Sequence, residues 1–289
     1  MGKTLIVHNP AAGPLKIPGT LDYIQDYLRK RNLQATLLST PFPREALYRR
    51  LQEGADRVLV AGGDGTLNMV VNYLMDWPEP PPLGVLPLGT ANDFARGLGI
   101  ESVAAGLEKA FAGDIIHVDV GSLFGRHFIN VAAGGFLCEV AHGTDRRLKK
   151  TLGRLAYYLK GLVELSAVEP AEVQVKVDGR EVFAGKIFLF LILNSPRAGN
   201  FPRLAPHASP DDGKMDLLII KECPPPELMG VLLKVLSGRH IQDPNILYRK
   251  GEAFHMAGPR EMVTDLDGEE GPSLPWQVEI LPRRLKFLR

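Results

Sequence analysis

Seven residues, Gly62-Gly63-Asp64-Gly65-Thr66-Leu67-Asn68, follow the apolar run Arg57-Val58-Leu59-Val60-Ala61 without a break. A buried strand that empties into three glycines and one carboxylate suits phosphate. Without side chains at 62, 63 and 65, backbone N–H groups can close on phosphoryl oxygens, and the next helix points its positive end at them. Asp64 cannot bind phosphate itself and would hold Mg²⁺, or a water on Mg²⁺. The local alternative is a tight turn with an Asx bond. Neither the terminal Lys-Ser/Thr of a Walker A loop nor the G-x-G-x-x-G spacing of a dinucleotide fold is present.

A second chemical stretch is Leu86-Pro87-Leu88-Gly89-Thr90-Ala91-Asn92-Asp93-Phe94-Ala95-Arg96, again at the end of an apolar run. Strand C-termini of a parallel sheet share one edge, so Gly89-Thr90 should lie beside Gly62–Asn68 around one ligand. Thr90 could bond a phosphate, and Asn92 or Asp93 could cap the next helix. Near the C-terminus, Asp267-Gly268-Glu269 reads as a hairpin turn or as carboxylates able to take a proton from an attacking hydroxyl. Ser209-Pro210-Asp211-Asp212-Gly213-Lys214 is first a turn signal. The seven histidines lack metal-ligand pairing, and no serine or cysteine sits in a nucleophile elbow.

The elements that must position these residues change character midway. Up to about residue 120, apolar runs near 4–8, 34–39, 57–61 and 83–86 alternate with helical patterns near 19–31, 44–53, 67–76, 91–98 and 102–112, which is the βαβ signature of a parallel sheet. After Asp114 the runs at Ile115–Val120, Phe128–Ala132, Val173–Val177, Ile187–Leu193 and Met215–Ile220, with turns such as Asp178-Gly179, suggest antiparallel β. We therefore expect an α/β domain over 1–120 and a β-rich domain over 121–289, whose last residues pack back on the first. One helix interrupts the second half. It carries Leu148, Leu152, Leu155, Leu159 and Leu162 on one face, with Arg146, Arg147, Lys149, Lys150, Arg154 and Lys160 around the rest. It reads as core-packed with a solvated face, or as a face for anionic lipid head groups.

Composition limits the function. Lys plus Arg (34) nearly balances Asp plus Glu (33), so no global field recruits nucleic acid. Two cysteines, Cys138 and Cys223, make neither a disulfide scaffold nor a zinc site and fit a reducing cytoplasm. The start of the chain resembles neither a signal peptide nor an anchor, and the longest apolar run, Ile187–Leu193, is far too short to span a bilayer. A soluble protein is expected.

The two glycine motifs together resemble the diacylglycerol kinase catalytic domain of bacterial lipid kinases and sphingosine kinases. NAD kinases and phosphofructokinases have similar Gly-Gly-Asp-Gly turns, but NAD kinases lack the second motif. The likeness continues through Ile129–Phe136, Leu152–Tyr158, Ala205-Pro206 with Asp211-Asp212-Gly213, and Asp267-Gly268-Glu269, and so spans nearly the whole chain. It departs at Arg197-Ala198-Gly199-Asn200, where relatives more often carry glycines. The resemblance implies an N-terminal α/β domain like that of phosphofructokinases and NAD kinases, a C-terminal antiparallel β-sandwich, and an active site between them. It implies ATP as co-substrate with Mg²⁺, nucleotide contacts at Thr40, Gly62, Gly63, Asp64, Gly65, Thr66, Leu67, Asn68 and Thr90, and a structural metal held by Asp212 with the carbonyls of Ser209 and Lys214. It makes Asp-Gly-Glu the proton acceptor, with Glu269 placed before Asp267. The expected partner is a lipid acceptor such as diacylglycerol, met by a cytoplasmic protein touching the membrane from outside; the oligomeric state stays open, a homodimer included. A kinase of a soluble acceptor such as NAD, and a non-catalytic nucleotide- or lipid-binding module, are the alternatives.

Overall fold

The computed structural model describes residues 3–12, 19–136, 138, 169–199 and 201–289. The helix expected over 146–162 and Asn200 lie outside the described residues.

Four parallel strands, β1 (Lys3–His8), β2 (Ala35–Ser39), β3 (Ala55–Gly62) and β4 (Leu83–Pro87), run in the order β4-β3-β1-β2. Their side chains alternate between two apolar layers, as strands covered on both faces must. Leu5, Val7, Val58, Val60, Leu83 and Val85 face one layer, covered by α2 (Arg44–Gln52), α3 (Asp64–Met75) and α4 (Asp93–Gly97). Ile6, Leu59, Ala61 and Leu86 face the other, covered by α1 (Thr20–Lys30) and α5 (Val103–Ala112). Helix α5 starts where the Ser102 hydroxyl accepts the Ala105 N–H at 3.1 Å. Helix α3 matters most, because its first turn belongs to the glycine motif. Val70, Val71 and Leu74 anchor it with no exposure, and truncating Leu74 to alanine would cost roughly 2–5 kcal/mol.

The second half is antiparallel. It contains β5 (Ile115–Leu123), β6 (Arg126–Phe128), β7 (Val131–Gly135), β8 (Ala171–Val177), β9 (Arg180–Leu193), β10 (Met215–Lys221), β11 (Ile246–Gly251), β12 (Ala253–Ala257), β13 (Thr264–Leu266), β14 (Glu269–Glu270) and β15 (Trp276–Leu288). Strands β7, β8 and β10 all pair with β9, whose alternation splits two cores. Phe190 and Ile192 enter the sandwich interior, where Phe190 meets Trp276 edge-on with ring centroids 5.3 Å apart. Leu189, Leu191 and Leu193 face the outer core under α6 (Pro225–Ser237). This helix was not among the expected elements, although Pro225 at its first turn and Leu228, Val231 and Val235 at helical spacing signal it.

Strand β15 joins the halves. Its start pairs with β12 and its end with β5 and, at Phe287, in parallel with Leu83 of β4. Between them the register shifts, and Arg283 takes φ 51. Leu285 and Phe287 then enter the first domain's core, with the Phe94 and Phe287 rings 4.9 Å apart. The strand expected over Phe128–Ala132 is broken into β6 and β7, because the N–H groups of Ile129, Asn130 and Val131 turn toward one carboxylate, that of Asp267.

Candidate active site

The two glycine loops meet backbone to backbone at the C-terminal edge of the parallel sheet. Gly63 and Gly89 leave no room for side chains: a Cβ on Gly89 would stand 2.5 Å from the Gly63 Cα. The Leu88 N–H bonds to the Gly62 carbonyl at 2.9 Å. Asn92, in the left-handed region at φ 50, does not cap by side chain. It clamps Gly89 instead, accepting from its N–H and donating to its carbonyl, both at 2.9 Å. The exposed Thr90 follows on that braced loop. Thr40 bonds through its N–H to the His8 carbonyl at 2.9 Å, at the same edge of the sheet. Helix α3 opens on Gly63, with no described side chain capping it, so its first N–H groups face the cleft and suit an anion.

Within the motif the side chains divide their work. Asp64 is half-exposed, and its Oδ1 lies 3.4 Å from the Phe94 N–H. Thr66 is buried and its hydroxyl accepts from Asn9 at 2.9 Å. Leu67 is buried in the core. Asn68 points away from the turn, donating to Asp267 Oδ2 at 2.9 Å and to the His127 carbonyl at 3.0 Å.

Across the cleft, Asp267 (φ 52) and Gly268 (φ 93) form a two-residue hairpin turn, with Leu266 opposite Glu269. Asp267 is 8% exposed, and its carboxylate accepts four hydrogen bonds. Oδ1 takes the N–H groups of Asn130 and Val131, and Oδ2 takes that of Ile129 and the Asn68 amide, at 2.8–2.9 Å. Burial pushes its carboxyl up to about 6 against the pull of these donors, so at neutral pH it is charged with its acceptor positions filled. Glu269 is exposed, and a Cβ on Gly65 would stand 3.2 Å from its Oε1. The chain thus brings a free carboxylate over the open N-terminus of α3. Arg126 steadies this arm by donating to the Glu270 carbonyl at 2.8 Å. The cleft wall continues through Ser195, whose hydroxyl donates to Asn130 Oδ1 at 2.6 Å and faces Gly97 of α4.

The expected metal loop lies elsewhere, beside β11. Asp212 Oδ1 accepts the Lys214 N–H at 3.0 Å, while Oδ2 meets the Lys250 ammonium at 2.6 Å. Lys250 also donates to the His207 carbonyl at 2.9 Å and lies 3.5 Å from Asp216 Oδ2. Burial works against the lysine's charge, but Asp212 and Asp216 outweigh it and hold its pKa above the ordinary value. The Ser209 hydroxyl donates to Asp211 at 2.6 Å. Among the described residues no group of three His, Cys, Asp or Glu could hold a metal. Asp212 is the one carboxylate of the expected set, and Lys250 already neutralises it.

Sequence reasoning missed Asn9, Asn72, Arg126 and the backbone donors of Ile129, Asn130 and Val131 to Asp267, whose partners lie far along the chain. Asn92 was foreseen as a cap and serves as a loop clamp.

A parallel α/β half whose glycine loops face a carboxylate from a β-sandwich is the arrangement of a phosphate-transferring enzyme. Residues 3–123 match the family described as "Diacylglycerol kinase catalytic domain", and 130–289 match the "YegS C-terminal NAD kinase beta sandwich-like domain". The chain is 36% identical to the diacylglycerol kinase of Bacillus subtilis (strain 168), over 99% of this chain and 95% of that one. With the diacylglycerol kinase of Staphylococcus carnosus (strain TM300) the identity is 34%, over 93% and 89%. A crystal structure of a diacylglycerol kinase from Bacillus anthracis str. Sterne superposes with TM-score 0.82 at 26% identity, covering 99% of this chain and 96% of that one. An NAD kinase from Archaeoglobus fulgidus in complex with ATP, at TM-score 0.56 and 13% identity over 99% and 93%, shares the fold. The chain belongs to the diacylglycerol kinase catalytic domain family and is a phosphotransferase with an alcohol group as acceptor.

Proposed function

We propose that the protein transfers the γ-phosphoryl group of ATP to the hydroxyl of a diacylglycerol-type lipid at a membrane surface. The observation that carries the reading is the Glu269 carboxylate poised beside Gly65, at the mouth of the glycine turn. The backbone N–H groups around Gly62–Thr66 would cradle the phosphates, with Thr40 and Thr90 closing the nucleotide site. Asp64 would anchor Mg²⁺, and its half-exposed carboxylate fits that part. Bound there, the ion would neutralise charge on the phosphate oxygens. Glu269 would accept the hydroxyl proton as that oxygen bonds to the γ-phosphorus and ADP departs. Asp267, with four donors on it, would hold the arm in place.

At the Ser209–Lys214 loop a structural divalent ion would take Asp212 and the carbonyls of Ser209 and Lys214, displacing Lys250. No helix among the described residues is long and apolar enough to cross a membrane. Contact with the lipid is therefore proposed to be peripheral, from the cytoplasmic side. The test is incubation with γ-labelled ATP and a panel of lipids in mixed micelles, with NAD as the soluble control. Labelled phosphatidic acid supports the reading, and labelled NADP with no labelled lipid refutes it.

A further inference from the structure

Asn68 ends the glycine motif in sequence, yet its side chain has nothing left for a phosphate. An amide nitrogen has two hydrogens. One goes to Asp267 Oδ2 and the other to the His127 carbonyl, while Oδ1 accepts from Asn72 at 3.0 Å. Asn72 lies one helical turn further, on the same face of α3. It accepts the His127 N–H and donates to the His127 carbonyl, both at 2.9 Å. Two stacked amides on the nucleotide-side helix thus hold both backbone groups of a β6 residue and the buried carboxylate of the hairpin that presents Glu269.

We propose that Asn68 and Asn72 are positioning residues, an amide ladder fastening the Glu269 arm to the helix whose N-terminus receives the phosphates. The first turn of α3 then sets both the phosphate and the proton acceptor from one rigid element. Asn68 belongs to the alignment of the two halves, not to nucleotide contact. The inference rests on the reading of Glu269 as the base. Charged and titratable groups on the elements packed around Asp267 are Arg126 and His127 on β6, Asp64 on α3, and Asp265, Glu269 and Glu270 on its own hairpin. Burial holds the His127 imidazole below its ordinary value.

The experiment compares Asn68→Ala, Asn68→Asp and Asn72→Ala with wild type, on folded protein checked by thermal unfolding. ATP affinity, measured without acceptor, should stay within about twofold, while kcat for lipid falls about 10- to 100-fold. Backbone amides of Ile129, Asn130 and Val131 should exchange faster in Asn68→Ala, a readout that needs no turnover. Asn68→Asp sets a second carboxylate against Asp267, and a proton shared between the two restores the donor facing Asp267 but not the one facing the His127 carbonyl. Its kcat relative to wild type should therefore climb as the pH is lowered from about 8 to 6.5. Loss of ATP affinity with kcat intact would overturn the proposal, as would unchanged exchange and a pH-independent ratio. If wild type labels no lipid, the functional reading fails while the exchange and ATP-binding results still decide the role of Asn68.

Discussion

Exchanging the two acidic residues of the Asp-Gly-Glu turn separates structure from chemistry, because their surroundings are opposite. In Asp267→Asn, one acceptor oxygen becomes an NH₂ group. Either flip of the amide points that group at two donors: Asn130 and Val131 on one side, Ile129 and Asn68 on the other. Two buried donors lose their acceptor, at about 1–3 kcal/mol each, so the variant should lose roughly 2–6 kcal/mol of stability. For a chain of this size a kilocalorie moves Tm by about 2–3 °C, which predicts a fall of roughly 4–18 °C. Glu269 is exposed and fills no buried position. Glu269→Gln should change stability by less than about 0.5 kcal/mol, yet lower kcat by about 10²–10⁴-fold with ATP affinity unchanged. Differential scanning calorimetry and a lipid turnover assay read both quantities on the same samples. A wild-type Tm with collapsed kcat in Asp267→Asn, together with substantial turnover in Glu269→Gln, would refute the assignment and make Asp267 the base.

Asp64→Asn should leave Tm unchanged and cost on the order of 10²–10³ in kcat, since it removes the carboxylate proposed to anchor Mg²⁺; near-normal turnover at saturating Mg²⁺ would contradict this. Lys250→Met strips the cation from Asp212 and the fully buried Asp216. It should destabilise by roughly 2–3 kcal/mol, less than a fully buried pair because the lysine is partly exposed, and millimolar Mg²⁺ should restore part of that Tm. An identical Mg²⁺ response in wild type and variant would count against the exchange of ammonium for metal. His240 has no exposure, and its Nε2–H donates to the Leu204 carbonyl at 2.9 Å. Burial lowers its pKa from the usual 6.5. The unfolded chain then binds the proton more readily than the folded one, so this contribution to stability is present above about pH 6.5 and is lost as the pH falls below it. His240→Gln should flatten the Tm-against-pH slope between about pH 7 and 5.5, and an unaltered slope would show that other groups carry it.

The fold class was legible because each half obeys one period. Strands β1, β3 and β4 are covered on both faces and read as unbroken apolar runs, and the helices between them carry their apolar residues at helical spacing. Asp178-Gly179 announced a hairpin, and both residues take positive φ, 50 and 77, between Val177 and Arg180. What failed to show was set by partners distant in sequence. The Phe128–Ala132 run looks like one strand because its residue types suit one. Its interruption comes from a carboxylate more than 130 residues away.

The same distance explains the site. Local sequence offered Asp267-Gly268-Glu269 as either a hairpin turn or a source of a base, and in the geometry the two readings are compatible. Asp267 and Gly268 adopt the positive φ values that a tight hairpin requires, and that turn presents Glu269 to Gly65. The turn is held by Asn68, 199 residues earlier, which the family resemblance had implied as a nucleotide contact. A motif fixes which residues stand together at the end of a strand, but a helix starting inside it rotates successive side chains by about 100°. Asp64 and Gly65 therefore stay at the cleft, Leu67 enters the core, and Asn68 reaches the other domain, so seven adjacent residues divide between cleft, core and the facing β-sandwich.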